Sequence, residues 1–214
     1  PTGGAGNDVI KNIEHLIGGT ASDILTGDSA ANSLAGGNGN DSLKGDSGND
    51  SLKGASGKDT MDGGSGTDTA DYSDKTVKVE VLLNKSTSAS VKINNVSEDS
   101  IKNVENVLGG SASDKLTGDS LNNLFRGNGG KDTIDGGSGN DTADYSEKTQ
   151  KVEVALNKST SVLVKVNGSS EDSIKNVEHL VGGSTGDKFT GDSLANQLTG
   201  NGGNDTLLGG SGND

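Results

Sequence analysis

The sequence predicts an all-β fold: a solenoid of short parallel strands in three blocks, joined by β-hairpin-like inserts. Three observations carry this. A nine-residue motif recurs in tandem, as at Gly36–Gly54, where GGNGNDSLK is followed by GDSGNDSLK. Most units offer one large apolar residue, at the eighth place. The first six places are filled mostly by Gly, Asn, Asp, Ser and Thr, the residues that turns require.

Composition sets the problem such a fold must solve. The 214 residues are 27% hydrophobic and 2% aromatic, with 36 Gly and a net charge of −13. So little apolar surface with so much charge gives a disordered chain. Two escapes exist: units that bury their faces against one another, or a bound cation whose binding energy adds to folding. The absence of Cys rules out disulfides and thiolate metal sites, and fits an exported bacterial protein. No apolar run is long enough to span a bilayer and no signal-peptide core follows Pro1. The chain starts and stops inside glycine repeats, so a piece of a longer protein is expected. A strongly acidic chain is a poor partner for nucleic acid.

The first block, 1–71, has a connector, VIKNIEHLIGG (9–19), and six nonamers from Gly18. The second, 109–144, has four, and the third, 182–214, repeats the second until Asp214. Two segments, 72–108 and 145–181, separate the blocks and are identical at 26 of 37 positions. The first block is longer than the second by two nonamers, which points to a structural coil of two nonamers. Within each nonamer, Leu25, Leu34, Leu43, Leu52, Met61, Leu116, Phe125, Ile134, Phe189, Leu198 and Leu207 supply the inward residue of a very short strand. Such a core is thin. Each coil buries two large side chains worth about 1.5–3 kcal/mol each, against backbone ordering of about 1–2 kcal/mol per residue.

The charge pattern indicates what else holds the turns. The arrays carry 7 Lys/Arg against 19 acids, and every one of those acids is Asp. A solvated acidic face would mix Asp with Glu, so exclusive Asp implies a short arm at fixed reach. Asp recurs at the sixth place, as Asp23, Asp41, Asp50, Asp59, Asp68, Asp114, Asp132, Asp141, Asp187, Asp205 and Asp214. Stacked turns would bring these carboxylates to the spacing of strands, about 4.8 Å. That arrangement repels itself unless a hard divalent cation, Ca²⁺ above all, is shared between carboxylates and backbone carbonyls.

GGNGNDSLK, GGSGTDTAD and GGSGNDTAD resemble the GGxGxDxUx nonapeptide of the RTX (repeats-in-toxin) family, in which U is a large apolar residue. SIKNVENVLGG (100–110) resembles that family's connectors. The resemblance implies a right-handed parallel β-roll. It also implies Ca²⁺, roughly five to eight ions, held between turns one coil apart by the eleven aspartates named above and by turn carbonyls. The paired turns it implies are Asp23 with Asp41, Asp41 with Asp59, Asp50 with Asp68, Asp114 with Asp132, and Asp187 with Asp205. The chain departs from the pattern at Asn32, Asn123 and Asn196, where the sixth place loses its charge. Those units carry Asp28, Asp119 and Asp192 at the second place, with no evident role. Asp62, Asp71, Asp135 and Asp144, at the ninth place, read as solvated rather than as supporting acceptors.

The two inserts alternate as strands do, with Val77, Val79, Val81 and Leu83, then Val91 and Ile93, and NKSTS as the turn between. They read as hairpins leaning on the solenoid, with Ile101, Val104 and Val107 returning the chain to the next array. Tyr72 and Tyr145 follow an array's last Asp and are expected to cap the core. His15 and His179 read as surface residues and Arg126, beside Phe125, as a packing residue.

No Ser-His-Asp or Cys-His set and no phosphate loop is present, so no enzyme activity is expected of this segment. The leading expectation is a calcium-binding module of a larger secreted protein, extracellular or on the bacterial surface. It would pass the type I secretion machinery and fold on Ca²⁺ outside the cell. As isolated it is expected to be monomeric, with a cell surface or polysaccharide as a further partner. Two alternatives remain open: a structural or adhesive extender built from 73-residue repeats, and the accessory module of an enzyme whose catalytic domain lies elsewhere.

Overall fold

A computed structural model describes residues 13–214; residues 1–12, and with them the first four residues of the connector, lie outside the described residues. Among the described residues there are 22 strands and no helix. The chain winds as a parallel roll between two sheets. A nine-stranded sheet is parallel throughout, and a thirteen-stranded sheet faces it. Consecutive strands alternate between the sheets, so one coil is two nonamers long: Leu25 pairs with Leu43, Leu43 with Met61, and Leu34 with Leu52.

Most strands of the arrays are three residues long, the stretch of each nonamer outside its turn residues, while Ser33–Asn38 and Ser51–Ser56 run on to six. Ile24–Thr26 and Ser42–Lys44 each bury their middle leucine and expose both neighbours. The core is therefore a double file of side chains. Leu34, Leu43, Leu52, Met61, Leu116, Phe125, Ile134 and Phe189 are at most 1% exposed. Where Ala70 and Ala143 occupy the inward place, Tyr72 and Tyr145 follow two residues later, and both rings lie in the same core. The tyrosines thus belong to the core as expected. Leu207, in the last described coil, is 41% exposed.

The inserts differ from the expectation in one respect. The hairpin is present, as Val79–Leu82 and Ala89–Ile93, and the NKSTS turn closes with a Thr87 N–H to Asn84 O bond of 2.9 Å. A third strand, Val96–Lys102, continues it into an antiparallel meander that lies within the thirteen-stranded sheet rather than leaning on it. Val96–Lys102 pairs parallel with Thr60–Asp62, and Val79–Leu82 pairs parallel with Lys115–Thr117. The second hairpin turn is Asn94–Asn95 at φ 50° and 66°, and Asn167–Gly168 at 49° and 78° in the copy. Left-handed backbone at both central residues is what a two-residue hairpin needs, and Asn and Gly adopt it most readily. Val77 is 39% exposed, so the inward run starts at Val79.

Each insert thus gives three strands to one sheet and a single strand, Asn106–Leu108 or His179–Val181, to the other. The opposite sheet continues unbroken, with Thr69–Asp71 paired directly to Asn106–Leu108 through Val107 and Ala70. A three-residue link, Asn103–Val104–Glu105, replaces a six-residue turn there, and Val104 is buried.

Candidate metal centres

The turns stack in two columns, one along each edge of the roll. Asp23, Asp41, Asp59, Asp114, Asp132, Asp187 and Asp205 precede strands of the thirteen-stranded sheet; Asp50, Asp68 and Asp141 precede strands of the nine-stranded one, and Asp214 joins their column through Asn196. A single contact repeats along both columns: one carboxylate oxygen accepts the N–H of the sixth-place residue one coil earlier. Asp41 Oδ1 accepts from Asp23 N, Asp59 Oδ1 from Asp41 N, Asp68 Oδ1 from Asp50 N, Asp132 Oδ1 from Asp114 N and Asp205 Oδ1 from Asp187 N, each at 2.8 Å. Every pair expected from the sequence is adjacent in this way. The asparagine turns join the same ladder, since Asn32, Asn123 and Asn196 donate their N–H to Asp50, Asp141 and Asp214, each at 2.8 Å.

The other carboxylate oxygen divides the turns into two kinds. In the first coil of each array it is satisfied locally. Gly19 N–H donates to Asp23 Oδ2 at 2.6 Å, Gly110 N–H to Asp114 at 2.7 Å and Gly183 N–H to Asp187 at 2.8 Å. The asparagine turns do the same, with Asp28 N–H on Asn32 Oδ1 and Asp119 N–H on Asn123 Oδ1. This assigns the second-place aspartates as well. Asp28, Asp119 and Asp192 each accept the N–H two residues on at 2.8 Å, and Asp119 also accepts Lys85 N–H from the insert.

In the later coils the second-place residue is left-handed, at Gly37, Asp46, Ala55, Gly64, Asn128 and Gly137. No second-place amide bonds the carboxylate there, and the Oδ2 atoms of Asp41, Asp50, Asp59, Asp68, Asp132 and Asp141 are buried without a partner. These residues are 1–2% exposed. Burial pushes each of their carboxyls up, with neighbouring carboxylates adding to it: Asp68 and Asp141 rise to about 6 and Asp132 to about 8. A buried charge wants a counter-charge, and a row of unpartnered oxygens beside closely stacked backbone is a donor set for a hard cation. A Cβ on Gly57 or Gly66 would lie 1.7 Å from the carbonyl oxygen of Gly39 or Gly48 one coil earlier, which shows how closely the turn carbonyls stack. Among the described residues no three His, Asp or Glu side chains converge as a metal-binding group. Each site therefore has to combine one or two carboxylates with main-chain carbonyls.

Four members of the ladder come from the inserts and were not anticipated. Asp99 Oδ1 accepts Asp59 N–H at 2.9 Å, Asp172 Oδ1 accepts Asp132 N–H at 2.8 Å, and Glu105 and Glu178 accept the N–H of Asp68 and Asp141 at 2.9 Å. The signal was in the chain: Asp99-Ser100-Ile101 repeats the Asp-Ser-Leu phase of the nonamer, and Glu105-Asn106-Val107 repeats it with a longer acid. A parallel ladder at the fifth place was missed too, with Asn40 and Asn49 Oδ1 accepting Lys58 and Thr67 N–H at 2.9 Å.

The ninth-place aspartates are not merely solvated. Asp62 pairs with Lys102 at 3.0 Å and Asn103 at 2.7 Å, and Asp135 with Lys175 at 2.9 Å and Asn176 at 2.6 Å. Burial pushes the Asp135 carboxyl up, but Lys175 and Asn176 outweigh it and hold it below the usual range. Arg126 forms an ion pair with Asp144 and donates to Ser146 at 2.8 Å, so its role is electrostatic rather than packing.

The chain matches the RTX calcium-binding nonapeptide repeat over residues 2–11, 12–43, 35–70, 108–143 and 181–214, more than half its length. No curated protein matches it.

Proposed function

Because the chain belongs to the RTX calcium-binding nonapeptide repeat family, we propose that it is the calcium-folded module of a larger secreted bacterial protein, exported by a type I system. The observation that carries this reading is the row of buried, unpartnered Oδ2 atoms at Asp41, Asp50, Asp59, Asp68, Asp132 and Asp141. Bound Ca²⁺ supplies the positive charge that this row lacks. In calcium-poor cytosol the carboxylates repel one another and the thin core cannot hold the coils together, which suits passage through a secretion channel. Outside, calcium near the millimolar range matches sites of about 10⁻⁴–10⁻³ M. Asp41, Asp59, Asp50, Asp68, Asp132, Asp141, Asp205 and Asp214 would hold the ions with turn carbonyls. Asp23, Asp114 and Asp187, whose second oxygens already accept amides, contribute chiefly to stacking.

The module itself is read as non-catalytic, because its carboxylates recur in register from coil to coil. The unbroken nine-stranded sheet supports a structural purpose within the same reading, since the inserts lengthen the roll without interrupting it. The test is a calcium titration followed by far-UV circular dichroism. β-Structure that rises with calcium and is lost to excess chelator is expected; a spectrum indifferent to chelator refutes the proposal.

A further inference from the structure

The arrays end differently on their two edges. Inside an array, the second-place carbonyl accepts the third-place N–H of the next coil, as Asp46 O accepts from Ser65 N at 2.9 Å. The turns at 54–59 and 127–132 are the last of their arrays on this edge, and a lysine from the insert takes the amide's place. Lys75 Nζ donates to Ala55 O, and Lys148 Nζ donates to Asn128 O at 2.7 Å and pairs with Glu171 at 2.8 Å. The Lys75 charge acts on Asp59 and Asp99, and the Lys148 charge on Asp132 and Asp172. On this edge the junction contains its own cation.

The other edge has the acids and no ammonium. The turn at 63–68 is followed by the link Asn103–Glu105, and Glu105 Oε2 accepts Asp68 N–H at 2.9 Å. Asp68 Oδ2 is buried without a partner and faces the link: a Cβ on Gly63 would lie 2.0 Å from Asn103 O and 2.6 Å from Asp68 Oδ2. The second copy repeats this arrangement. Asp141 Oδ2 is unpartnered, and a Cβ on Gly136 would lie 1.8 Å from Asn176 O and 2.7 Å from Asp141 Oδ2. The lysines beside these links are engaged elsewhere, Lys102 with Asp62 and Lys175 with Asp135.

From this juxtaposition we infer that Asp68 with Glu105, and Asp141 with Glu178, hold a divalent cation at the junction with each insert, while Lys75 and Lys148 stand in for one on the opposite edge. The nonapeptide alone does not specify these two sites, because each takes a glutamate and a carbonyl from the insert. The inference rests on the calcium reading of the arrays. The link also bonds the turn through its backbone, since the N–H groups of Glu105 and Asn106 both donate to Asp68 O, at 3.1 and 2.8 Å.

The decisive measurement is a calcium anomalous difference map from crystals of the whole chain grown in calcium. Peaks beside Asp68 and Glu105 and beside Asp141 and Glu178, with none at the Lys75 and Lys148 ammonium groups, are expected. Peaks in the array turns but none at the glutamates overturn this inference alone; no peaks anywhere overturn the calcium reading itself. In solution, native mass spectrometry of Glu105→Gln and Glu178→Gln should show one fewer bound ion for each substitution. Retention of the parent's ion count in folded variants also overturns the inference. A variant that fails to fold leaves the decision to the map of the parent chain.

Discussion

The main-chain N–H of Asp59 donates to Asp99 Oδ1 at 2.9 Å, although forty residues separate them in sequence. The insert therefore does not interrupt the aspartate ladder; it contributes the next rung. The same holds for Asp132 and Asp172 at 2.8 Å.

That contact can be tested by truncating the acceptor. Asp99→Ala leaves the Asp59 amide buried and unpaired, which costs about 1–3 kcal/mol. Asp99→Asn keeps an acceptor oxygen and should cost less. Urea unfolding at saturating calcium, compared between the two variants, is the measurement; equal losses would assign Asp99 no role in the ladder.

The two kinds of turn predict unequal effects of neutralising aspartates. Asp41→Asn removes a carboxylate with a free oxygen and should weaken calcium binding by about tenfold or more, equivalent to about 1.4 kcal/mol. Asp114→Asn removes one whose oxygens already accept Val79 and Gly110 amides at 2.8 and 2.7 Å, and should change affinity much less. Isothermal titration calorimetry on both variants decides; equal effects would erase the distinction between the turns.

Backbone conformation gives a pair of opposite outcomes within one turn. Ala55 sits at φ 64°, a region that strains any residue with a Cβ by about 1–2 kcal/mol. Ala55→Gly should therefore raise stability, by about 0.5–1 kcal/mol after the added chain entropy. Gly57, at φ 129° with Gly39 O 1.7 Å from its would-be Cβ, tolerates nothing larger, and Gly57→Ala should abolish calcium-induced folding of the first array. Thermal melts in calcium check both signs.

Proton binding should substitute for calcium in part. In the metal-free fold, burial chiefly raises the carboxyls of Asp68, Asp99, Asp141 and Asp172 to about 6 and that of Asp132 to about 8. The folded chain then keeps protons that the unfolded chain, with Asp near 3.9, has lost. This stabilisation is complete below about pH 4 and disappears as pH rises through about 6 and then about 8. Circular dichroism in chelator should show more β-structure at pH 5 than at pH 8. Calcium affinity should move the opposite way, rising over that range as protons stop competing. A chelated spectrum that is flat with pH would contradict the burial of these groups.

Much of this was legible in the sequence, because the nonamer is a local code. One apolar residue among turn residues can only make a short strand between turns, and a two-nonamer step placed Leu25 over Leu43 and Asp23 over Asp41. The inserts were half legible. The alternation of Val79, Val81, Val91 and Ile93 announced two strands, but Val96–Lys102 carries polar residues at four of its seven positions besides Lys102 and announced nothing by periodicity. Its strand character comes from pairing on both sides, with Ala89–Ile93 and Thr60–Asp62.

By itself, then, the chain determined the repeat, the coil length, the inward file of side chains and the choice of aspartate at the turns, since each follows from residue type and spacing alone. Only the tertiary structure decided which carboxylate oxygens are left without partners, that Asp99 and Glu105 belong to the same ladder, and that Lys75 closes one edge while the other stays acidic. Those outcomes depend on which backbone amides face a carboxylate across neighbouring coils, and such contacts between residues 18 to 40 positions apart exist only once the coils are stacked.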